Sequence, residues 1–310
     1  MAAIADKITL GWWNTGLSPA GKQRASQAQL RSAVDIVQNL LLNEGVDWLS
    51  LGEVTKFDLD YCLNAIGLPM YAYFDGMFRQ GRSQFDTGAI FNQACITSVC
   101  GAPIFDRFSN RTIKLANEIS FTLNQDPAST FFLFISHWPS HIVPDSEDLR
   151  ITLAARLCKE IQKLNDSVPN AHIILMGDWN EEPFHSCLQH HLLATRDRSL
   201  AQRQRSLFYN PFWRHLGETQ PYYKSEDTPI TSFAGTCYVS SAIGTRWKTV
   251  DQIVFSSVFL GRSEWHLNER SVKILHITPK GLNPRSAPDI FDHFPVIATV
   301  EKMVEGEKND

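Results

Sequence analysis

Hydrophobic and polar positions alternate in several stretches of the chain. "KITLGWWN" (7–14) alternates and ends on Asn14, the period of a strand with two different faces. "LSPAGK" then breaks regular structure. From Gln23 to Leu42, Leu30, Val34, Val37 and Leu41 recur at helical spacing. "VDWLSLGEV" (46–54) predicts a strand ending near Glu53, and "FDLDYCLNAIG" a short helix closed by Gly67. "MYAYF" and "DTGAIFNQ" are β-like, with the turn "RQGRSQ" between them. "STFFLFISHW" (129–138) predicts an apolar strand ending at His137. Ser146 is suited to cap the next helix, and Glu147 and Asp148 suit its positive end. Leu149, Leu153, Leu157, Ile161 and Leu164 form the buried stripe of that helix, and "SVPN" stops it.

"HIILMGDWNEEPF" (172–184) follows, with four apolar residues in a row, Ile173 to Met176, and then a sudden polar tip. The region 194–246 is irregular and rich in arginine and aromatic residues. "WKTVDQIVFSS" (247–257), "VKILHITP" (272–279) and "HFPVIATV" (293–300) predict the closing strands, and the charged tail from about 301 is expected to fray. Unbroken apolar strands imply burial on both faces. Interleaved with helices and undivided by any linker, they predict one α/β domain over 1–310.

Composition changes this picture little. The chain has 310 residues, 43% hydrophobic and 20% charged, enough for a sizeable core. A net charge of −4 does not advertise nucleic-acid binding by bulk charge, although a local basic patch is compatible with it. No basic stretch leads into an apolar run at the N-terminus, and no run approaches the ~20 residues of a membrane span. Six cysteines without C-x-x-C spacing read as reduced thiols, which makes the cytoplasm the default compartment.

The candidate chemistry lies at the strand tips: Asn14, Glu53, His137, Asp178 with Asn180, Asp251, and Asp292 with His293. Any one polar residue at the end of a strand needs no explanation. As a set, these acids, amides and histidines are what hydrolytic phosphate chemistry requires.

The stretches "WWN" (12–14), "LGEV" (51–54), "ISHWPSH" (135–141), "GDWN" (177–180), "VDQIVFSS" (250–257) and "DHFPV" (292–296) occur in an order that resembles the endonuclease/exonuclease/phosphatase superfamily. The resemblance spans nearly the whole chain. It implies a four-layered α/β sandwich, two packed mixed β-sheets flanked by helices. It also implies Mg²⁺ or Mn²⁺ held by Glu53, Asp292 and Asn14, an all-oxygen set that favours a hard ion. On the same basis Asp178 orients or deprotonates the attacking water. Asn180, expected on the same side if the strand stays extended, contacts phosphate or metal. His293 binds the scissile phosphate with Asp251 behind it, and His137 donates to a phosphate oxygen or assists the leaving group. The family often has serine before the last Asp-His pair, where this chain has Phe291. The acid that would orient His137 is not evident, Asp86 in "FDTGAI" being a guess, and His141 is a weaker candidate in the same motif.

Two further stretches carry alternatives. His185, Cys187, His190 and His191 could suggest zinc, but a short helix of solvated or packed histidines is expected after "GDWNEEP". Arg196, Arg198, Arg203, Arg205 and Arg214, interleaved with Phe208, Tyr209, Phe212 and Trp213, suit either nucleic acid or a cover over a sheet edge. The expected activity is a metal-dependent nuclease cleaving DNA or RNA. The alternative is a phosphatase or phosphodiesterase acting on a phosphoinositide, sphingomyelin or another small phosphorylated substrate. The absence of an arginine soon after "GDWN" and of an export signal favours the nuclease. A catalytically dead binding module is disfavoured by the complete residue set.

Overall fold

The computed structural model describes residues 3–19, 23–81, 83–141, 146–217, 234–277 and 291–304. Two large mixed sheets pack face to face. One has the strand order Trp265–Ile274, Val296–Val304, Ala3–Asn14, Trp48–Gly52, Gly88–Asn92, Tyr71–Asp75. The other runs Ala194–Thr195, Phe208–Tyr209, Asp251–Ser256, His172–Asp178, Asp126–His137, Arg111–Leu123, Ile96–Phe108. Helices Gln27–Gln38 and Lys56–Ile66 cover the first sheet, and helix Ser146–Ser167 covers the second. This is the four-layered α/β sandwich the motifs imply.

The period of two explains the double burial. Trp12 points between the sheets and Trp13 toward the helices. Ile174 and Met176 point inward, while Ile173 and Leu175 meet Leu153, Leu157 and Ile161 of the long helix. Between the sheets, Trp48 stacks on Phe121, whose other neighbour is Phe131, at centroid distances of 5.2 and 5.4 Å.

Several boundaries differ from expectation. The first helix begins at Gln27, because Ser26 and Gln29 form a reciprocal capping box that starts it there. The helix Lys56–Ile66 ends at Gly67 with φ +66°, as the glycine predicts. The stretch 247–257 is two strands, Trp247–Lys248 and Asp251–Ser256, in different sheets. Residues 301–304 are not frayed: the last strand runs to Val304, and Lys302 Nζ reaches Asp126 at 3.0 Å. Strand Trp265–Ile274 covers the start of "VKILHITP", whose last residues, 278 and 279, lie outside the described ones. The long hairpin Ile96–Phe108 and Arg111–Leu123 was not expected, because its half-exposed first strand lacks an apolar run.

Gly177 fixes how closely two strands approach. A Cβ there would stand 1.9 Å from the Ser136 carbonyl oxygen on the neighbouring parallel strand. Gly177→Ala is therefore expected to cost ~3 kcal/mol or more, since relief requires backbone movement. The midpoint of urea unfolding checks this, and an unchanged midpoint would mean that the strands part there without loss.

Candidate active site

The polar residues continue the inward-facing rows of the core past its end. Two residues beyond the buried Ile135, Met176 and Trp12 stand His137, Asp178 and Asn14, and two before Ile253 stands Asp251. In register, His137 opposes Asp178 and Asp178 opposes Asp251. Directly opposed residues project to one face. His137, Asp178 and Asp251 thus form a row across three strand tips, and Asn14 meets it from the other sheet through Nδ2, which donates to Asp178 Oδ2 at 3.1 Å.

Asp251 is fully buried behind this row. Its Oδ1 accepts from Trp12 Nε1 at 2.7 Å, and its Oδ2 accepts from Thr236 Oγ1 at 2.7 Å and lies 2.7 Å from His293 Nδ1. Burial alone would strip His293 of its proton, but the Asp251 carboxylate outweighs it and holds the imidazole well above its ordinary value. The ring is then an imidazolium near neutral pH, with Nε2 3.9 Å from Asp178 Oδ2. That gap is too long for a hydrogen bond. Phe291, where the family often has serine, packs edge-on against Trp13 at 5.1 Å, and the Trp13 indole donates to the His293 carbonyl.

His137 has the same construction. Its Nδ1 lies 2.8 Å from Asp86 Oδ2, and the other Asp86 oxygen accepts from Lys114. Burial would lower the His137 value, but the Asp86 charge raises it overall. Burial would raise Asp86, but the charges of His137 and Lys114 drive it well below the carboxylate range. Asp86 is thus the partner acid that the motifs left open. Its signal was an acid at the start of "DTGAIFNQ"; Lys114 had no signal in the sequence.

Asp178 stands between the two histidines. Burial, and then the Asp251 charge, push its carboxyl up to about 6, against the pull of His293 and His137. Asn180 does not follow in extended geometry. The strand ends at Asp178, and Asn180 adopts φ +51°, a left-handed conformation that asparagine tolerates. Its backbone N–H donates to Asp178 Oδ1 at 2.8 Å, and its Nδ2 donates to the Trp138 carbonyl at 2.9 Å. One side-chain N–H and the amide oxygen remain for a ligand.

Glu53 sits just past its strand with φ +52°, and its Oε1 lies 3.8 Å from His137 Nε2. Asn14 Oδ1 accepts from the Gly16 N–H at 3.3 Å, and a Cβ on Gly16 would stand 4.0 Å from Asp292 Oδ1, so Asn14 and Asp292 converge around this turn. Among the described residues the carboxylates of Glu53 and Asp292 accept no hydrogen bond. This donor set suits a hard divalent cation. Asp178, Asp251 and His293 also present ligand atoms within 4.8 Å of one another. However, the Asp251 oxygens and His293 Nδ1 are already bonded, which makes that cluster a hydrogen-bonded relay.

All eight expected residues come together. Asn14, Glu53, His137, Asp178, Asn180, Asp292 and His293 line an open cleft of about 690 Å³, with Asp251 behind them. His141 lines it too, but its Nδ1 faces the guanidinium of the fully buried Arg150 at 3.1 Å. Arg150 also binds Glu181 and the Pro139 carbonyl, which ties the loop after His137 to the loop after Asp178.

Among the described residues, neither of the other two stretches lines the cleft. His185 Nδ1 lies 3.3 Å from Cys187 Sγ, and burial pushes that thiol up to about 12. Among the described residues these groups form no three-ligand cluster. Arg198 and Arg214 pair with Glu269, Arg196 covers the Trp213 ring at 4.7 Å, and Phe208, Tyr209 and Phe212 are buried. Phe208 opposes Ser256, at the end of its strand remote from Asp251. The arginine-rich stretch therefore covers a sheet edge, and among the described residues none of its arginines lines the cleft.

A sequence profile described as the Endonuclease/Exonuclease/phosphatase family matches residues 118–302, more than half of the chain. The chain belongs to this family. Endonuclease/exonuclease/phosphatase proteins are phosphoesterases. A family member from Bacteroides thetaiotaomicron aligns with TM-score 0.65 and 14% identity, over 98% of each chain. A mannosyl-6-phosphatase of the same organism aligns with TM-score 0.63 and 14% identity, over 96% of this chain and 100% of the other. The human nocturnin catalytic domain with bound sulfate aligns with TM-score 0.61 and 18% identity, over 98% of each. No curated protein matches the sequence. Among the described residues, no helix is long and apolar enough to cross a membrane.

The raised Asp178 carboxyl has a consequence for stability. The folded protein holds that proton more tightly than the unfolded chain, so stability falls as pH rises from the unfolded value of 3.8 through about 6. In EDTA at pH 8, Asp178→Asn should be more stable than the native protein by ~1–3 kcal/mol once the Asn14 amide turns to face it. The difference should vanish below pH ~4, where both side chains are neutral. Thermal unfolding across this range checks it; a gain that does not depend on pH would contradict the charge origin.

Proposed function

We propose that the chain is a metal-dependent phosphodiesterase of nucleic acid, with Asp178 as the base or water-orienting group and His293 and His137 as phosphate ligands. The observation that carries this reading is the 3.9 Å gap between Asp178 Oδ2 and His293 Nε2 at the cleft wall. A carboxylate able to take a proton faces an imidazolium able to give one. An attacking water fits the carboxylate side, and a phosphate oxygen fits the imidazolium side.

Each group is held for its part by a partner. Asp251 occupies His293 Nδ1 and Asp86 occupies His137 Nδ1, so both rings turn Nε2 to the cleft. Asn180 N–H and Asn14 Nδ2 each take one Asp178 oxygen, which fixes the carboxylate plane while lone pairs remain for water. His137 donates to a non-bridging oxygen or to the leaving oxygen. Glu53, Asp292 and the Asn14 oxygen would hold Mg²⁺ or Mn²⁺, and charge compensation for the phosphate is the chemistry such an ion would supply there. The open cleft, which reaches from Pro19 to the Tyr238–Ser241 turn, suits a chain substrate. A second reading, a phosphatase of a small sugar phosphate, is favoured by the fold shared with the mannosyl-6-phosphatase.

Purified protein should hydrolyse oligonucleotides or plasmid with Mg²⁺ or Mn²⁺, lose that activity in EDTA, and recover it on metal addition. Asp178→Asn should reduce turnover by ~10²–10⁴-fold. Release of phosphate from mannose 6-phosphate without any cleavage of DNA, RNA or an aryl phosphodiester would select the second reading. Full turnover by the metal-stripped protein would refute both.

The His137 pair predicts a pH effect. Its value is raised by Asp86, so the ring holds its proton to higher pH than a free imidazole does. Asp86→Asn should move the alkaline limb of kcat/KM to lower pH, because Lys114 is left unpaired beside the ring, and should lower kcat by ~10²-fold. A pH–rate profile of the variant checks this, and an unmoved limb would remove His137 from the mechanism.

A further inference from the structure

We propose that Lys248 forms a second anion subsite in the cleft, which takes the phosphate neighbouring the scissile one in an oligonucleotide. The inference rests on the phosphodiesterase reading above and names its substrate class.

Three residues stand in one row beside the reacting groups. Lys248 directly opposes Cys237 in the short hairpin of strands Cys237–Tyr238 and Trp247–Lys248, and Cys237 in turn opposes His293. Directly opposed residues share a face. Lys248, Cys237 and His293 therefore project together, and with strands ~4.8 Å apart the backbone of Lys248 stands ~10 Å from that of His293. The opposite face of the hairpin is anchored: Tyr238 packs on Trp247 at 5.0 Å, and Trp247 stacks on Phe294 at 5.3 Å. That anchoring fixes which face Lys248 takes, and Lys248 lines the cleft.

Nothing in the row neutralises the ammonium. Burial raises the Cys237 thiol above its ordinary value, so it stands between His293 and Lys248 as an uncharged spacer. Among the described residues Lys248 has no carboxylate within ion-pair distance. Glu182 lies within electrostatic range of it without forming an ion pair, and its carboxylate also accepts from the Thr249 N–H at 3.1 Å. The other cleft lysine, Lys114, is taken up by Asp86. The cleft thus offers one uncommitted ammonium on a flexible four-carbon stem, set to one side of the phosphate ligand. A small monoester places its charge at His293 and leaves Lys248 unmet. A nucleotide chain carries a phosphate on every unit and meets both.

The test measures binding in EDTA, where no turnover intervenes. The probes are a thymidine dinucleotide and the same dinucleotide carrying a terminal phosphate at either end. The added phosphate at one end should strengthen binding to the native protein about tenfold. Lys248→Gln should abolish that gain, and Lys248→Arg should keep it. The slope of log affinity against log salt for the phosphorylated probe should fall by ~0.7 in Lys248→Gln. No gain in the native protein from a phosphate at either end, or a gain and slope unaltered in Lys248→Gln, would overturn the proposal. Turnover with Mg²⁺ or Mn²⁺ is read separately. A Lys248-dependent gain without turnover would leave the subsite standing and bring down the phosphodiesterase reading.

Discussion

The Asp251 carboxylate is the contact on which the two sheets and the cleft both depend. It is fully buried, which is costly for a carboxylate unless several donors satisfy it. One donor is Trp12 from the opposite sheet, one is Thr236 from the segment beside the cleft, and one is His293 from the last loop. Losing any of them would leave part of a buried charge unpaired. The same atoms that join the sheets therefore set the ring of His293, and that coupling makes the position of the ring a property of the whole sandwich.

The cleft is the end of the hydrophobic core. Inward rows of isoleucine, methionine and tryptophan stop, and the next inward position on each strand is polar. Strands are stiff and paired on both sides, so the groups at their tips inherit the regularity of the sheet. Gly177 adds a local requirement, since only a residue without Cβ lets its strand lie against Ser136 and bring Asp178 beside His137.

Charge is distributed in the same economical manner. Two histidines each have an acid on Nδ1, and Asp178 sits between them. Burial works against the charged form of every one of these groups. Their mutual attraction overcomes it for the histidines and Asp86, but not for Asp178, whose nearest acidic neighbour, Asp251, adds to the effect of burial. One group is left near neutrality while its neighbours keep their charges.

The residues of the cleft were legible in the sequence because each ends an apolar run, and such runs declare strands without reference to the rest of the chain. The same periodicity predicted the helices and the burial of both strand faces. The partner acid Asp86, the tie between Arg150 and Glu181, and the free state of Lys248 were not legible. They depend on pairings between residues far apart in sequence, and no local pattern records which strand lies beside which. Asn180 shows the limit within a single motif: its spacing from Asp178 is local, but its left-handed turn is held by bonds to Asp178 and to Trp138 just past the adjacent strand. The arginines of 196–214 show it for charge, since composition alone could not say that Glu269 and Trp213 would hold several of them at a sheet edge. The sequence by itself determined which apolar runs form buried strands and helices and which chemistry stands at the strand tips of the cleft, because these follow from short-range periodicity and solvation. Only the tertiary structure decided which charges are neutralised and which remain open to a ligand, because that depends on distances between strands that the chain order does not contain.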